Sequence, residues 1–190
     1  MTTTKPTCYF DKPGKANTPA VIKAVTASIA ETGIRHVVVA STSGDTALAF
    51  AKALGKKARV IAVTYHAGWR GGDTVAMKPD MRKKLESAGV DVVVASHALS
   101  GISRSVSKTF GGPNYPELIA ATYKTFGQGL KVAVEVSVMA ADAGLVPTDR
   151  DIIAVGGSGN GSDAAIVVQT AHQNNFFSLR VREVVAMVRR

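Results

Sequence analysis

Short runs of β-branched apolar residues recur along this chain, and each run is followed by a turn and a stretch of helical character. The clearest runs cover residues 36–40, 60–64, 92–95 and 152–155. Continuous apolar runs of this kind are typical of parallel strands that are buried on both faces. Alternation of such strands with helices favours one sheet covered on both sides. The sequence therefore predicts an α/β, three-layer fold with a mainly parallel sheet and helices on both faces.

The segments around these runs supply the remaining elements. Further strands are predicted at residues 8–10, 164–170 and 181–188, and helices at residues 19–32, 47–54, 79–88, 102–108, 116–126 and 130–143. Valines at alternate positions from 132 to 138 resemble a strand, but the length of the last segment favours a helix because strands average about 5–6 residues. On that helix Glu135 and Asp142 share one face, which is typical of a solvated or salt-bridged surface.

Length and composition limit the organisation of the chain. Its 190 residues suit one domain covering residues 1–190, with a flexible tail at residues 1–7. The one cysteine, Cys8, excludes a disulfide framework within the chain and any multi-cysteine metal site, so no metal is expected. No apolar segment is long enough to span a membrane. We expect a cytoplasmic protein without a membrane partner.

The chain carries a formal charge of +9. The excess of positive over negative charge is largest in residues 1–60, which contain nine basic and three acidic side chains. Such a field attracts anions, and the candidates are nucleic acid, acidic lipid and phosphorylated small molecules. Nucleic acid is disfavoured because the sequence has no aromatic RNA-binding signature.

A hydroxyl-rich turn follows the second strand and leads directly into a helix. Its residues are Ser41, Thr42, Ser43, Gly44, Asp45 and Thr46. A phosphate at this position would meet backbone N–H groups, hydroxyl donors and the positive end of a helix dipole. The pattern resembles the phosphate loop of flavodoxins, which holds the phosphate of flavin mononucleotide (FMN). A serine-rich helix cap without a ligand is the alternative.

A glycine-rich loop follows the strand at residues 152–155. Its candidate ligand-binding residues are Gly156, Gly157, Gly159 and Asn160. Closely spaced glycines let a backbone approach a ligand. The spacing matches neither a dinucleotide-binding fingerprint nor a P-loop, so a hairpin or sheet crossover stays open as the alternative.

Two further loops follow strands and place histidines at the same edge. His66 lies in the loop after residues 60–64, and His97 and Ser100 lie in the loop after residues 92–95. These side chains would surround the rest of a ligand, and Tyr65 and Trp69 are candidates to stack on a planar ring. The roles of the other two histidines and of the cysteine are left open; these are His36, His172 and Cys8.

The order of these motifs resembles a known family. They are Asp-Lys-Pro-Gly (11–14), Ser-Thr-Ser-Gly-Asp-Thr (41–46), Ser-His-Ala-Leu-Ser-Gly (96–101), Met-Ala-Ala-Asp-Ala-Gly (139–144) and His-Gln-Asn-Asn-Phe-Phe (172–177). Together they resemble the small stand-alone proteins related to the C-terminal α/β domain of pyruvate kinase. In pyruvate kinase that domain is not catalytic and holds an allosteric sugar bisphosphate. The resemblance implies a phosphate pocket that includes residues 41–46, and the stand-alone relatives look like FMN binders.

The leading hypothesis is therefore binding of a phosphorylated small molecule, with FMN as the cofactor, at the carboxyl edge of the sheet. An enzyme that acts on a phosphometabolite with His66 or His97 as acid–base is one alternative. A non-enzymatic protein that senses a phosphometabolite is another. Whether the chain is an enzyme stays open at this stage, and so does a homo-oligomeric assembly.

Overall fold

A computed structural model describes residues 2–69 and 71–189. These residues form one seven-stranded sheet with the order β1-β7-β6-β5-β2-β3-β4. The strands are β1 (Cys8–Phe10), β2 (His36–Ala40), β3 (Arg59–Tyr65), β4 (Asp91–Ala95), β5 (Ile152–Gly156), β6 (Ala164–Gln169) and β7 (Arg180–Val188).

The six α-helices lie on both faces of this sheet. They are α1 (Thr18–Thr32), α2 (Asp45–Leu54), α3 (Pro79–Ser87), α4 (Gly101–Phe110), α5 (Tyr115–Lys124) and α6 (Gln128–Asp142). Helices α1, α2 and α3 contribute to the apolar core on one face. Helix α6 fills the core on the other face, α5 packs against α6, and α4 packs against α5. The predicted three-layer α/β fold is confirmed.

The strand directions place the loops of interest at one edge. Strand β2 runs parallel to β3 and to β5, and β3 runs parallel to β4. Only β6 is antiparallel to both of its neighbours in the described part of the sheet. The chain moves outward in one direction from β2 and in the other direction from β5. The loops after these two strands diverge and leave a crevice, which is where ligands bind in open α/β sheets.

Alternate residues of the central strands point to opposite cores. Val37 and Val39 of β2 pack with α1 and α2, whereas Val38 packs with α6. Because both faces of β2 are covered, its sequence is continuously apolar from Val37 to Ala40 rather than alternating. This explains why the strand runs were visible in the sequence.

The long ambiguous segment is a helix, as its length predicted. Helix α6 is buried along almost its whole length, which explains why it lacks the polar face of a surface helix. Within the segment 1–7, Lys5 Nζ binds Glu183 Oε1 at 2.7 Å and Thr7 Oγ1 donates to Val184 O at 2.9 Å. Among the described helices, none combines the length and hydropathy that crossing a bilayer requires.

Candidate functional site

A cavity of about 500 Å³ opens at the carboxyl ends of β2 to β5. It is bounded by the loops after β2, β3, β4 and β5, by one side of α6, and by Lys15 from the segment before α1. The volume lies within the range of about 300–1,000 Å³ that is usual for small-molecule sites. The crevice predicted by the topology is therefore a concave site built from segments far apart in sequence.

The hydroxyl-rich turn forms one wall of the cavity. Ser41 Oγ accepts a hydrogen bond from Ala47 N at 3.1 Å and thereby satisfies an amide in the first turn of α2. The Ser43 hydroxyl donates to Asp45 Oδ2 at 2.8 Å. Gly44 caps the helix with φ of 100°, a conformation that favours glycine. The turn thus presents hydroxyl groups and the positive end of the α2 dipole to the cavity.

The segment before α1 is held against the glycine-rich loop. Asp163 Oδ2 accepts from Gly14 N at 3.0 Å and from Ser158 N at 3.1 Å, and Thr18 Oγ1 accepts from Ser162 N at 3.0 Å. These bonds bring Lys15 to the rim of the cavity. Lys15 therefore adds a basic side chain to the lining of the cavity.

The glycines after β5 have two different roles. Gly157 and Gly159 line the cavity, but Gly156 faces α6. A Cβ on Gly156 would overlap the Gly129 carbonyl oxygen and the Ala133 amide nitrogen. The absence of a side chain at Gly156 therefore lets α6 lie directly against β5. The sequence predicted that a ligand would approach Gly156 closely. The group that approaches Gly156 is instead the backbone of α6.

An aromatic wall closes the cavity beyond β3 and β4. The ring centroids of Trp69 and His97 are 4.1 Å apart, and those of Tyr65 and His97 are 5.6 Å apart with near-parallel planes. The Arg104 guanidinium lies over the Trp69 ring, 4.2 Å from its centroid. Trp69 is thus enclosed between His97 and Arg104, and the aromatic wall lines this end of the cavity with ring atoms.

The imidazole of His97 is held in its neutral form. Burial lowers the pKa of His97, and the nearby positive charges of Lys131 and Arg104 lower it further, against the opposing effect of Glu135. Its pKa therefore lies below the ordinary value of about 6.5. At neutral pH the ring that faces the cavity carries no charge.

A buried ion pair supports this wall from α6. Glu135, only 2% exposed, accepts from Lys131 Nζ at 2.5 Å through one oxygen and from Leu99 N at 3.0 Å through the other. The second bond fixes the loop that carries His97. The prediction of a salt-bridged face is right for Glu135, but its solvated alternative is wrong because this residue lies inside the protein.

The structure brings most of the predicted site residues together. Those that line the cavity are Ser41, Thr42, Ser43, Asp45, Thr46, His97, Gly157, Gly159 and Asn160. The other four predicted residues, Gly44, His66, Ser100 and Gly156, are not part of the cavity lining. His66 backs the aromatic group, with its ring centroid 6.1 Å from that of His97, and buried Ser100 caps α4.

The residues whose roles the sequence left open lie elsewhere. His172 Nδ1 is 3.2 Å from Asp142 Oδ1 at the far end of α6, His36 begins β2, and Cys8 is a free thiol in β1. Arg70, at the end of the loop that carries His66, is outside the described residues. Within ranges 2–69 and 71–189, no three His, Cys, Asp or Glu side chains converge as a metal site.

Sequence reasoning missed the contributions from outside the strand-end loops. Lys15, Gln128, Glu135 and Met139 also line the cavity. Nothing local in the sequence marks them as site residues, because they reach the crevice only through the packing of α6 and the docking of the segment before α1. The i,i+4 spacing of Lys131 and Glu135 was the one available signal of the ion pair.

Comparison with known proteins gives one match to a family model. The model is described as the pyruvate kinase alpha/beta domain, and it matches residues 19–168. This range includes β2 to β6, the hydroxyl-rich turn, the aromatic wall and the glycine-rich loop. The match covers most of the chain.

Proposed function

The chain belongs to the pyruvate kinase alpha/beta domain family, and from this premise we propose that its cavity binds a phosphorylated small molecule, FMN. The observation that carries the proposal is that a hydroxyl-rich helix N-terminus and an aromatic wall face one cavity. The first suits a phosphate group and the second suits a planar ring.

The phosphate end of the proposed ligand lies at the turn of residues 41–46. Hydroxyl and amide donors hold a phosphate there without a metal ion, and the α2 dipole favours its negative charge. Lys15 adds a positive charge to the lining of the same cavity. Asp45 is a like charge at this end, and its bond from Ser43 directs the carboxylate to that hydroxyl.

The ring end of the proposed ligand lies against Trp69 and His97. A neutral His97 places no cation beside the ligand ring, and His97 and Arg104 together restrain Trp69. FMN, when bound, supplies redox chemistry. The residues of the chain bind and orient it, and the apolar side chains of Val132 and Met139 on α6 shield its edge.

Substitution of two hydroxyl groups in the turn tests the phosphate end. We expect the double variant Thr42→Val, Thr46→Val to bind FMN about 10- to 100-fold more weakly, because hydrogen bonds to a charged group are lost. Riboflavin lacks the phosphate, so its affinity should not change. Trp69 is the only tryptophan, and quenching of its fluorescence reports both titrations.

The matched control removes two exposed hydroxyl groups elsewhere, in the variant Ser87→Ala, Thr122→Val. It should bind FMN and riboflavin as the unmodified protein does. An unchanged preference for FMN over riboflavin in the turn variant would remove residues 41–46 from the site.

Acid–base chemistry on a phosphorylated metabolite is the second candidate function. A specific observation favours His97 over His66 in this role: His97 lines the cavity, whereas His66 is not among the lining residues. We expect His97→Gln to retain phosphate-dependent binding while losing turnover of such a metabolite. Equal turnover by the variant, measured over a panel of sugar phosphates, would exclude His97 as the base.

A further inference from the structure

Helix α4 points its apolar side away from the protein. Ile102 and Phe110 are 84% and 81% exposed, and Val106 between them is also exposed. The three residues are spaced four apart and form a single ridge along the helix. An amphipathic helix normally turns this face toward its own core, so the orientation of α4 is the reverse of the usual one.

Polar contacts, rather than apolar ones, attach α4 to its own chain. Ser107 Oγ donates to Glu117 Oε2 at 2.7 Å, and Asn114 Nδ2 donates to Ser103 O at 2.8 Å and to Ser107 Oγ at 2.7 Å. These bonds fix the rotation of the helix about its axis. The outward direction of the ridge is therefore specified by the fold.

We propose that this ridge is the contact surface of a homodimer, in which the α4 helices of two copies pack across a two-fold axis at Val106. The smallest side chain of the ridge lies at its centre, and larger ones lie at its ends. Antiparallel packing about Val106 places Phe110 of one copy beside Ile102 of the other. Ridges of residues spaced four apart interlock in the commonest helix–helix geometry, at a crossing angle of about −50°.

The exposed apolar area is consistent with a partner of this kind. Phe110 alone offers about 150–250 Å² of apolar surface, and the exposed side chains of Ile102 and Val106 add to it. A standard interface buries about 800 Å² per partner. The ridge therefore supplies the apolar centre of a dimer contact, which in known interfaces is surrounded by a polar rim.

The charges on α4 favour a second copy over an anionic membrane. At about 100° per residue, Arg104 and Lys108 lie on the opposite side of the helix from Val106, and Arg104 is held over Trp69. A helix that binds anionic lipid carries its basic residues beside the apolar face. The flanks of this ridge are instead small hydroxyl residues, Ser105 and Thr109 among them, which allow close approach of another helix.

Measurement of mass in solution tests the dimer independently of FMN binding. Sedimentation equilibrium of the unmodified chain over a concentration series should give a species of twice 19.8 kDa. Val106→Arg should give the monomer with an unchanged circular dichroism spectrum, and Phe110→Gln should weaken association at least 10-fold. Ala30→Arg, an equal charge change at an exposed position on α1, should remain dimeric.

A cross-link locates the axis. In a Cys8→Ser background, Val106→Cys should oxidise to a covalent dimer and Ala30→Cys should not, because only residues at the two-fold meet their own copies. A chain that is monomeric at all concentrations, or a Val106→Arg variant that stays dimeric, would overturn the proposal. A monomeric chain that floats with phosphatidylserine-containing vesicles, and no longer does so as Val106→Arg, would assign the ridge to a membrane instead.

Discussion

Glu135→Gln should destabilise the protein by about 3–5 kcal/mol, the usual cost of leaving one member of a buried ion pair without its partner. Lys131 is almost fully buried, and its ammonium would lose the carboxylate that neutralises it. The Gln side chain can still accept the hydrogen bond from Leu99 N. The loss of stability therefore measures the effect of removing the negative charge. Urea denaturation gives the free energy of unfolding.

Removal of both charges should restore most of this stability. In Lys131→Met, Glu135→Gln neither side chain of the pair carries a charge, and replacement of buried pairs by neutral residues is often close to neutral in free energy. The exposed pair Arg82 and Glu86 has the same i,i+4 spacing and is the matched control. Glu86→Gln should cost about 0.5 kcal/mol or less. If Glu135→Gln cost no more than this control, α6 would not hold an uncompensated charge in the variant.

Asp163→Ala should cost about 2–4 kcal/mol and also weaken FMN binding. The Asp163 side chain is fully buried and accepts hydrogen bonds from two backbone amides, those of Gly14 and Ser158. Each amide left unsatisfied in the interior costs about 1–3 kcal/mol. The same bonds hold Lys15 and the glycine-rich loop at the cavity, so both parts of the site lose their restraint.

Two comparisons separate the roles of Asp163. Asp163→Asn keeps an acceptor oxygen at the position of Oδ2 and should lose less stability than the alanine variant. Asp149→Ala removes an exposed carboxylate that is paired with Arg150, and it should change the free energy of unfolding by no more than about 0.5 kcal/mol. Normal FMN affinity in a folded Asp163→Ala protein would show that these loops position themselves without the carboxylate.

The strands and the hydroxyl-rich turn were predictable because their causes are local. A strand covered on both faces needs a continuous apolar run, as in residues 37–40, and a helix start needs a capping turn such as residues 41–46. The glycines predicted residues of the site less well than the apolar runs predicted the strands. Gly156 and Gly157 are neighbours in sequence, yet only Gly157 faces the cavity, because successive side-chain positions at a strand end point to opposite sides.

The sequence by itself determined the class of fold and the edge of the sheet at which the loops collect, because apolar periodicity and strand direction follow from short stretches of chain. Only the tertiary structure decided that Lys15, Glu135 and the glycine-rich loop meet at that edge, and that α4 turns its apolar ridge outward. Such features depend on long-range packing: on the burial of Glu135 beside Lys131, on the docking of Gly14 to Asp163, and on the polar contacts of Ser103 and Ser107. The spacing of residues along the sequence does not show which distant part of the chain a side chain will contact.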